Sequence, residues 1–528
     1  MKRIIISIIL ISFFVINSII IGSTAETIKS NMDSDEWTIM VFLDGDNNLE
    51  KYAIDDFLEI SSVNYADSGV NVVVQLDRTS GYDYRYGNWE NTRRGLVVKN
   101  DVPSDGTDGN PAWGENIGEV NCGDPQTVID FVNWAKTNYP AEKYCLILWD
   151  HGSGWKSQNF DPRKYVCIDE TSGDALFTYE LRIALDTISN GGADKINLMG
   201  FDACLMGMIE VSYEIKDFCN YMTASEETEP VTGWDYDGAL NALVTDSSID
   251  GMQLGDLFVT YFMGSDITLS TIDMSSLSYL AYAASDLADN LQIDSYRNDI
   301  QNAIDNVMTF GGYYAVDIVD LYHFAQLIQA YIDDSYIDNL AQAVMSAVLT
   351  TVTSEKHSAG YENAHGISIY VPYYDYDSDY EYLLFAQNTQ WNEFLFWWFN
   401  GGSTSNPPSA PIIMGEKSGQ VGVEYSYSFT SEDPDGDDII YYIQWDGNGA
   451  QEQIGPKKSG ETATASHSWF SDGFYVIKAQ AIDSNNAKSE WATFTVTMPR
   501  AKSKIFLEKI IDCFPILYNI FSQFGLIY

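Results

Sequence analysis

Two short apolar runs, each breaking off into small polar residues, constrain this chain more than any other feature. Ile147–Trp155 reads ILWDHGSGW and Leu198–Met208 reads LMGFDACLMGM. An apolar run of this length with no polar alternation suits a strand buried on both faces of a parallel sheet. Their apolar parts extend over Tyr144–Trp149 and Ile196–Phe201, and the same kind of run recurs at Trp37–Leu43 and Val70–Leu76. Between these runs the apolar residues change to helical spacing. Leu49, Ile54, Phe57, Leu58 and Val63 form one stripe, and Val128, Phe131, Val132 and Ala135 form another behind an Asp124-Pro125 start signal. Phe177–Ile188 reads as a further helix. Alternation of this kind predicts an α/β domain with a mostly parallel sheet flanked by helices. Ligands of such sheets bind beyond the carboxyl ends of the strands, the edge that carries His151 and Cys204.

A thiol and an imidazole at neighbouring strand ends are the parts of a nucleophilic pair. Cys204 is the candidate nucleophile, and His151 the base that takes its proton and returns it to a leaving amine. Leu205–Ile215 reads as a helix, which would set Cys204 at a helix N-terminus and lower its pKa. Gly152 lets the backbone approach a substrate closely. Its N–H is a candidate oxyanion donor, with the N–H of Cys204 as a second. A lone cysteine is most often a buried small hydrophobe. Here the placement of the two residues on one edge favours chemistry. His365 opens an apolar run and is a less favoured base. His323, His357 and His467 carry no signal.

The rest of the chain sets boundaries. Lys2 and Arg3, the apolar run Ile4–Ile21 and the small residues to Ala25 read as a signal peptide over 1–25, an uncleaved anchor being the rival. Residues 36–400 form the α/β domain. Within it, Tyr82–Trp113 reads as a loop or hairpin excursion, Lys156–Gly173 as an exposed loop, and 255–350 as mostly helical. GGSTSNPPSAP at 401–411 is a linker. Residues 412–499 show alternating short runs separated by DPDGDD, DGNG and SDG turns, which predicts an all-β sandwich. The tail, 500–528, starts basic and becomes apolar, a candidate membrane or cell-surface attachment. A net charge of −48 argues against a nucleic-acid partner. The six cysteines show neither a zinc spacing nor a disulfide framework. Cys145 reads as buried and Cys122 as a candidate for exposure.

DNNLE at 46–50, ILWDHGSGW at 147–155, GFDACLMGMIEVSYEI at 200–215 and ASEETEPVTGWDY at 224–236 together resemble the clostripain family of cysteine peptidases. The resemblance covers Trp37–Asn400 and implies a caspase-like fold with the dyad on Cys204 and His151. The separation of the pair, 53 positions, is near that of caspases. It also implies cleavage after Arg or Lys, with Asp202 in the primary pocket and Ser225 and Glu226 as weaker lining candidates. Asp202 orienting the nucleophile turn is the plainer alternative. Precursor processing between the His and the Cys is implied too, which points to Arg163 and Lys164. The chemistry needs no cofactor. Calcium is implied by the resemblance, with Asp44, Asp46 and Asn48, or Asp433, Asp435 and Asp437, as weak candidates against plain turn formation. Residues 412–499 resemble PKD-like or Ig-like modules. A non-catalytic surface adhesin and a caspase-fold peptidase of non-basic specificity stay open beside the leading reading, a secreted endopeptidase with protein or peptide substrates.

Overall fold

The computed structural model describes residues 35–155, 165–312, 317–374, 376–399, 407–445, 451–471, 473–484 and 487–498. The expected signal peptide, the tail, most of the linker, and Arg163 and Lys164 lie outside them. The polypeptide divides into two compact units near residue 400.

The strands of the first unit are β1 (Asp35–Gly45), β2 (Val70–Arg78), β3 (Asn91–Leu96), β4 (Glu115–Gly118), β5 (Ala141–Trp149), β6 (Tyr165–Asp169) and β7 (Asp174–Phe177). Then follow β8 (Ile196–Asp202), β9 (Cys219–Ala224), β10 (Thr268–Asp273), β11 (Ile318–Asp320), β12 (Val352–His357) and β13 (Ser368–Tyr370). Nine of them make one sheet in the order β12-β10-β9-β8-β5-β1-β2-β3-β4. The middle five, β9 to β2, are parallel; the flanking strands run antiparallel.

Side-chain alternation divides each central strand between two cores. Met40, Phe42, Leu146, Leu148, Met199 and Phe201 face one. Trp37, Ile39, Val41, Cys145, Ile147 and Leu198 face the other. The first core is closed by helices that include Pro125–Asn138, Thr178–Ile188 and Leu277–Leu291. The second is closed by Glu50–Ser62, Tyr236–Thr245 and Gly251–Tyr261. Removing both faces from water is why the central runs read as unbroken apolar sequence. Asp124 caps Pro125–Asn138 as its sequence signals, accepting from the Gln126 N–H at 2.8 Å.

Two local expectations hold with strands added to them, and three are corrected. The Tyr82–Trp113 excursion contains β3, which pairs with β2 and extends the sheet. The segment after residue 164 is not an exposed loop: Tyr165, Val166 and Cys167 of β6 are buried. The region 255–350 is mostly helical as expected, and it also includes β10 and β11, with β12 following it directly. The helix after Cys204 begins only at Ile209. Cys122 is buried, its thiol donating to Asp77 Oδ2 at 3.3 Å.

The second unit has a three-stranded sheet (Ile412–Met414, Tyr425–Thr430, Ala463–His467) and a four-stranded sheet (Gln451–Lys457, Ile439–Gln444, Gly473–Asp483, Ala492–Met498), all antiparallel. Tyr427, Phe429, Tyr441, Trp445, Trp469 and Ile477 fill its core.

Candidate active site

The ladder between β5 and β8 sets the site. It pairs Trp149 with Asp202 at its last rung, and the Asp150 N–H donates to the Asp202 carbonyl at 3.3 Å just beyond. His151 and Cys204 each follow two residues after that rung, so the hydrogen-bonded sheet itself brings the expected pair to one edge. Gly152 lies directly on the nucleophile turn. A Cβ placed there would stand 2.3 Å from the Cys204 carbonyl oxygen and 2.9 Å from its nitrogen. Around Gly152, the Cys167 N–H donates to the His151 carbonyl (3.3 Å) and the Ser153 N–H to the Tyr165 carbonyl (3.2 Å). The Gly152 N–H takes part in neither bond. Gly152→Ala is therefore expected to displace Cys204 and lower kcat by about 100-fold, the cost of a misplaced reacting group. It should also lower stability by about 1–3 kcal/mol through overpacking. Kinetics and thermal unfolding of the variant check both.

The turn that holds Cys204 is braced from two sides. Leu205 adopts a left-handed conformation (φ +63°), unfavourable for a branched side chain. Its N–H donates to the Glu227 carbonyl at 3.1 Å, and the Gly207 N–H donates to the Ser225 carbonyl at 2.7 Å. On the other side the Ser368 N–H donates to the Gly207 carbonyl at 2.9 Å. Met208 also forms a parallel bridge with Ser368. Residues 205–208 are thus held in a non-helical path between two segments, which postpones the helix to Ile209. No helix N-terminus acts on Cys204. The nearest donor to its sulfur is the Glu229 N–H, at 3.2 Å. Burial pushes the Cys204 thiol above its ordinary value, the Glu229 N–H opposes this, and Glu227 and Asp202 add to it. Burial also lowers the His151 pKa, with Glu170 opposing. At neutral pH the pair is therefore a thiol beside a neutral imidazole.

Asn48 is a site residue that sequence reasoning assigned elsewhere. Its Oδ1 stands 2.9 Å from His151 Nε2. With Nε2 protonated and donating to Asn48, Nδ1 keeps the free lone pair that a general base needs. DNNLE carried this signal, but Asn48 was read there as a cation-loop residue.

Asp202 closes β8 with its side chain 4% exposed. Its Oδ2 accepts from Tyr236 OH (2.9 Å) and the Trp234 N–H (3.2 Å). Burial raises its pKa to about 6, against hydrogen bonds from Glu229, Tyr236 and Trp234. Glu229 is raised further, by burial and then by Asp202, so the two carboxyls share a proton. Asp56, itself raised by burial and by Asp202, lies in the same group and accepts from Trp149 Nε1 at 2.6 Å. The acidic wall behind Cys204 therefore has more than the one member expected. Glu229 could have been found in the ASEETEP motif, which places it 25 positions beyond Cys204.

Ser225 is fully buried. Its hydroxyl donates to the Glu227 carbonyl (2.9 Å), lies 3.0 Å from Thr268 Oγ1 and accepts from the Glu227 N–H (3.2 Å). Those bonds brace the loop rather than line a pocket. Glu226 is also buried, and its Oε2 accepts from the Gly366 N–H at 2.9 Å. His365 pairs with Asp320 at 3.2 Å and stacks on Tyr322.

Carboxylates also gather near the ends of β1 and β2. One oxygen each from Asp46, Asp77, Glu119 and Asp169 lies within 4.8 Å of the others. Burial, and then mutual repulsion, raises Asp77, takes Asp169 to about 6 and takes Glu119 to about 7. Asp44 beside them is fully buried, and its Oδ2 has no hydrogen-bond partner. Asp433, Asp435 and Asp437 also converge, with Asp433 Oδ1 accepting the other two backbone N–H groups as in a simple turn.

Residues 41–398 match the model of the Clostripain family. The chain belongs to that family. It is 28% identical over 330 residues to clostripain of Hathewaya histolytica, covering 52% of this chain, and it spans 60% of that relative's length. It shares its fold with a secreted C11 cysteine protease of Bacteroides thetaiotaomicron solved with an irreversible peptide inhibitor. That match has 21% identity and a TM-score of 0.50, and covers 69% of this chain and 99% of the other. A PKD domain of an M14-like peptidase from Thermoplasmatales archaeon SCGC AB-540-F20 is 45% identical over 18% of this chain and all of its own length, with a TM-score of 0.18. Among the described residues no helix is long and apolar enough to cross a membrane.

Proposed function

We propose that this chain is an exported cysteine endopeptidase that cleaves after Arg or Lys. The observation that carries the reading is the β5–β8 register, which sets His151 and Cys204 side by side with Gly152 packed on the Cys204 backbone. His151 takes the thiol proton as Sγ attacks the scissile carbonyl. The oxyanion is met by the Gly152 N–H, with the Cys204 N–H as second donor. The protonated imidazole then passes its proton to the leaving amine, and water resolves the thioester by the reverse sequence. Asn48 holds the imidazole in the required orientation.

Basic specificity is supported by the acidic wall. A guanidinium between Asp202 and Glu229 would supply the positive charge that these two carboxyls otherwise replace by sharing a proton. Export is supported by the signal-like residues 1–25 and by the secreted relative. Cleavage after Arg163 or Lys164 in a maturing chain fits the same specificity. The test is hydrolysis of Arg, Lys, Asp and Asn reporter peptides by the purified protein. Turnover confined to Arg and Lys supports the reading; turnover of Asp or Asn reporters alone overturns the basic pocket. No turnover of any reporter by a processed chain would favour the adhesin reading.

The residues at the β1 and β2 ends fit a hard cation such as calcium. The donors are all carboxylate oxygens, and an orphaned Asp44 oxygen adjoins them. Asp46, Asp77, Glu119 and Asp169 would hold the ion, which would neutralise buried charge and serve no step of the reaction. Because Asp77, Asp169 and Glu119 have raised pKa values in the folded chain, the native state binds more protons than the unfolded one above the ordinary carboxylate range. Stability therefore falls as pH rises through the window ending at about 6 for Asp169 and about 7 for Glu119. Calorimetry in chelator is expected to show a Tm that declines from about pH 5 to about pH 8. Calcium is expected to raise the curve and flatten it. Coincident curves with and without calcium would overturn the cation assignment.

A further inference from the structure

The small sheet of β11 and β13 has one edge paired and the other turned to the nucleophile. On the paired edge the Leu321 N–H donates to the Ile367 carbonyl (3.2 Å) and the Val371 N–H to the Asp317 carbonyl (2.9 Å). Gly366, Ser368 and Tyr370 are alternate residues, so their N–H groups point to the opposite edge. All three residues are buried, and a buried N–H needs an acceptor. The Ser368 N–H finds a backbone carbonyl, that of Gly207, at 2.9 Å. The other two find side chains. The Gly366 N–H donates to Glu226 Oε2 and the Tyr370 N–H to Glu210 Oε1, each at 2.9 Å. Two carboxyls therefore stand at the two ends of an edge whose middle is the turn that carries Cys204.

These acids are a costly way to satisfy two N–H groups. Both are fully buried. Glu50 and Glu214, buried elsewhere, have Arg78 and Arg182 as partners, whereas among the described residues neither Glu210 nor Glu226 has such a cation. Burial takes Glu210 to about 7, and burial, then Asp320, pushes Glu226 well above its ordinary value. An amide would satisfy the same N–H groups without burying an ionisable group. What the two side chains supply is their place in the chain. Glu226 sits between Ser225 and Glu227, whose carbonyls hold Gly207 and Leu205, and Glu210 sits in the first turn of the helix that begins at Ile209. Both flanks of the turn are thus tied to one strand. Leu205 is left-handed, so a released turn would relax toward the right-handed region and carry Cys204 with it. The Glu210 end also reaches the histidine motif. Tyr380 OH donates to Glu210 Oε1 at 3.0 Å, and Trp155 packs edge-on against Tyr370 and Tyr380, with ring centroids 4.6 and 5.0 Å apart.

We propose that Glu210 and Glu226 are positioning residues for the cysteine chemistry. By fixing the two ends of β13 against the nucleophile turn, they hold the Gly207 carbonyl on Ser368 and keep Cys204 in reach of His151. They act through the turn and touch neither substrate nor reacting atoms. The inference rests on Cys204 as the nucleophile.

The test compares Met, Gln and Asp at each position in the full chain. Glu210→Met and Glu226→Met keep the volume and remove the acceptor. Each is expected to lower kcat for peptide reporters by about 30- to 100-fold while KM stays within about twofold, the pattern of a displaced reacting group. Iodoacetamide labelling of Cys204, read by mass on its own peptide, should slow by about tenfold in the same variants. Glu210→Gln and Glu226→Gln return an oxygen to the N–H and should recover most of both losses. Val132→Ala, in the helix Pro125–Asn138, is the stability control, expected to lower Tm and keep kcat. Methionine variants that match this control, with lower Tm and wild-type kcat, would make the acids merely structural and overturn the proposal. A rise in KM at unchanged kcat, or glutamine variants as slow as the methionine ones, would overturn it too. Where a methionine variant does not fold, the Asp variant decides. It withdraws the carboxyl by one methylene, with kcat expected about tenfold lower and wild-type kcat overturning the proposal. Labelling needs no turnover, so a wild type that cleaves no reporter defeats the endopeptidase reading and leaves this comparison in force.

Discussion

Replacing Cys204 with alanine is expected to reduce peptide hydrolysis by on the order of 10⁴-fold or more, with substrate binding largely kept. Among the described cysteines the one removed is the one that is only partly buried. The other cysteines described, Cys122, Cys145, Cys167 and Cys219, are buried, and burial raises the pKa of every one. His151→Ala is expected to be as damaging, because a buried thiol with a raised pKa ionises only if a neighbour takes its proton. The double variant should lose little more than either single one, as the two act as a unit. Single-turnover kinetics and labelling by a thiol-directed peptide inhibitor measure this. Substantial labelling of Cys204 in the His151 variant at neutral pH would show that the imidazole is not the base.

The second large effect is expected at Asp202. Asp202→Asn removes one charge of the wall but not its shape, and should lower kcat/KM for Arg reporters by about 100-fold, mostly through KM. The loss is limited by Glu229. Asp202 helps hold Glu229 protonated, so deleting the Asp202 charge lets Glu229 ionise and take part of the load. Asp202→Asn/Glu229→Gln should then lose more than the two single effects added together. The same acids fix the pH response. Asp202 titrates at about 6, so KM for a cationic substrate should rise as pH falls through that value, while the Asp202→Asn variant loses this limb. An unchanged ratio of Arg to uncharged reporters in Asp202→Asn would return Asp202 to a role in bracing the turn.

How far the site is legible depends on which interaction places each residue. His151 and Cys204 follow apolar strands that announce themselves, and parallel strands share one active edge, so the pair is visible in the sequence. Asn48 and Glu229 are not, although both fall in motifs that stand out. Asn48 meets His151 only because β1 lies next to β5 in the sheet, and that order is written in no local pattern. Glu229 returns to Cys204 through the crossover from β8 to β9. The late helix start has the same origin. LMGM looks apolar and helical, but the bond that Gly207 donates to the Ser225 carbonyl and the bonds that Ser368 donates to the Gly207 carbonyl hold it out of the helix. The missed strands are those with mixed polarity. TLSTID of β10 and VTSEKH of β12 pair antiparallel at one side of the sheet and need no unbroken apolar run.

The β5–β8 ladder has a consequence for any cut between the two motifs. From Cys145 opposite Leu198 to Trp149 opposite Asp202, hydrogen bonds tie the strand before His151 to the strand before Cys204. A break in the peptide chain between residues 156 and 164 would separate the covalent owners of base and nucleophile while leaving those bonds whole. The molecule would then travel as one particle in gel filtration and as two polypeptides in denaturing gel. Mixing the fragments after denaturation should restore turnover, in the manner of split-protein complementation.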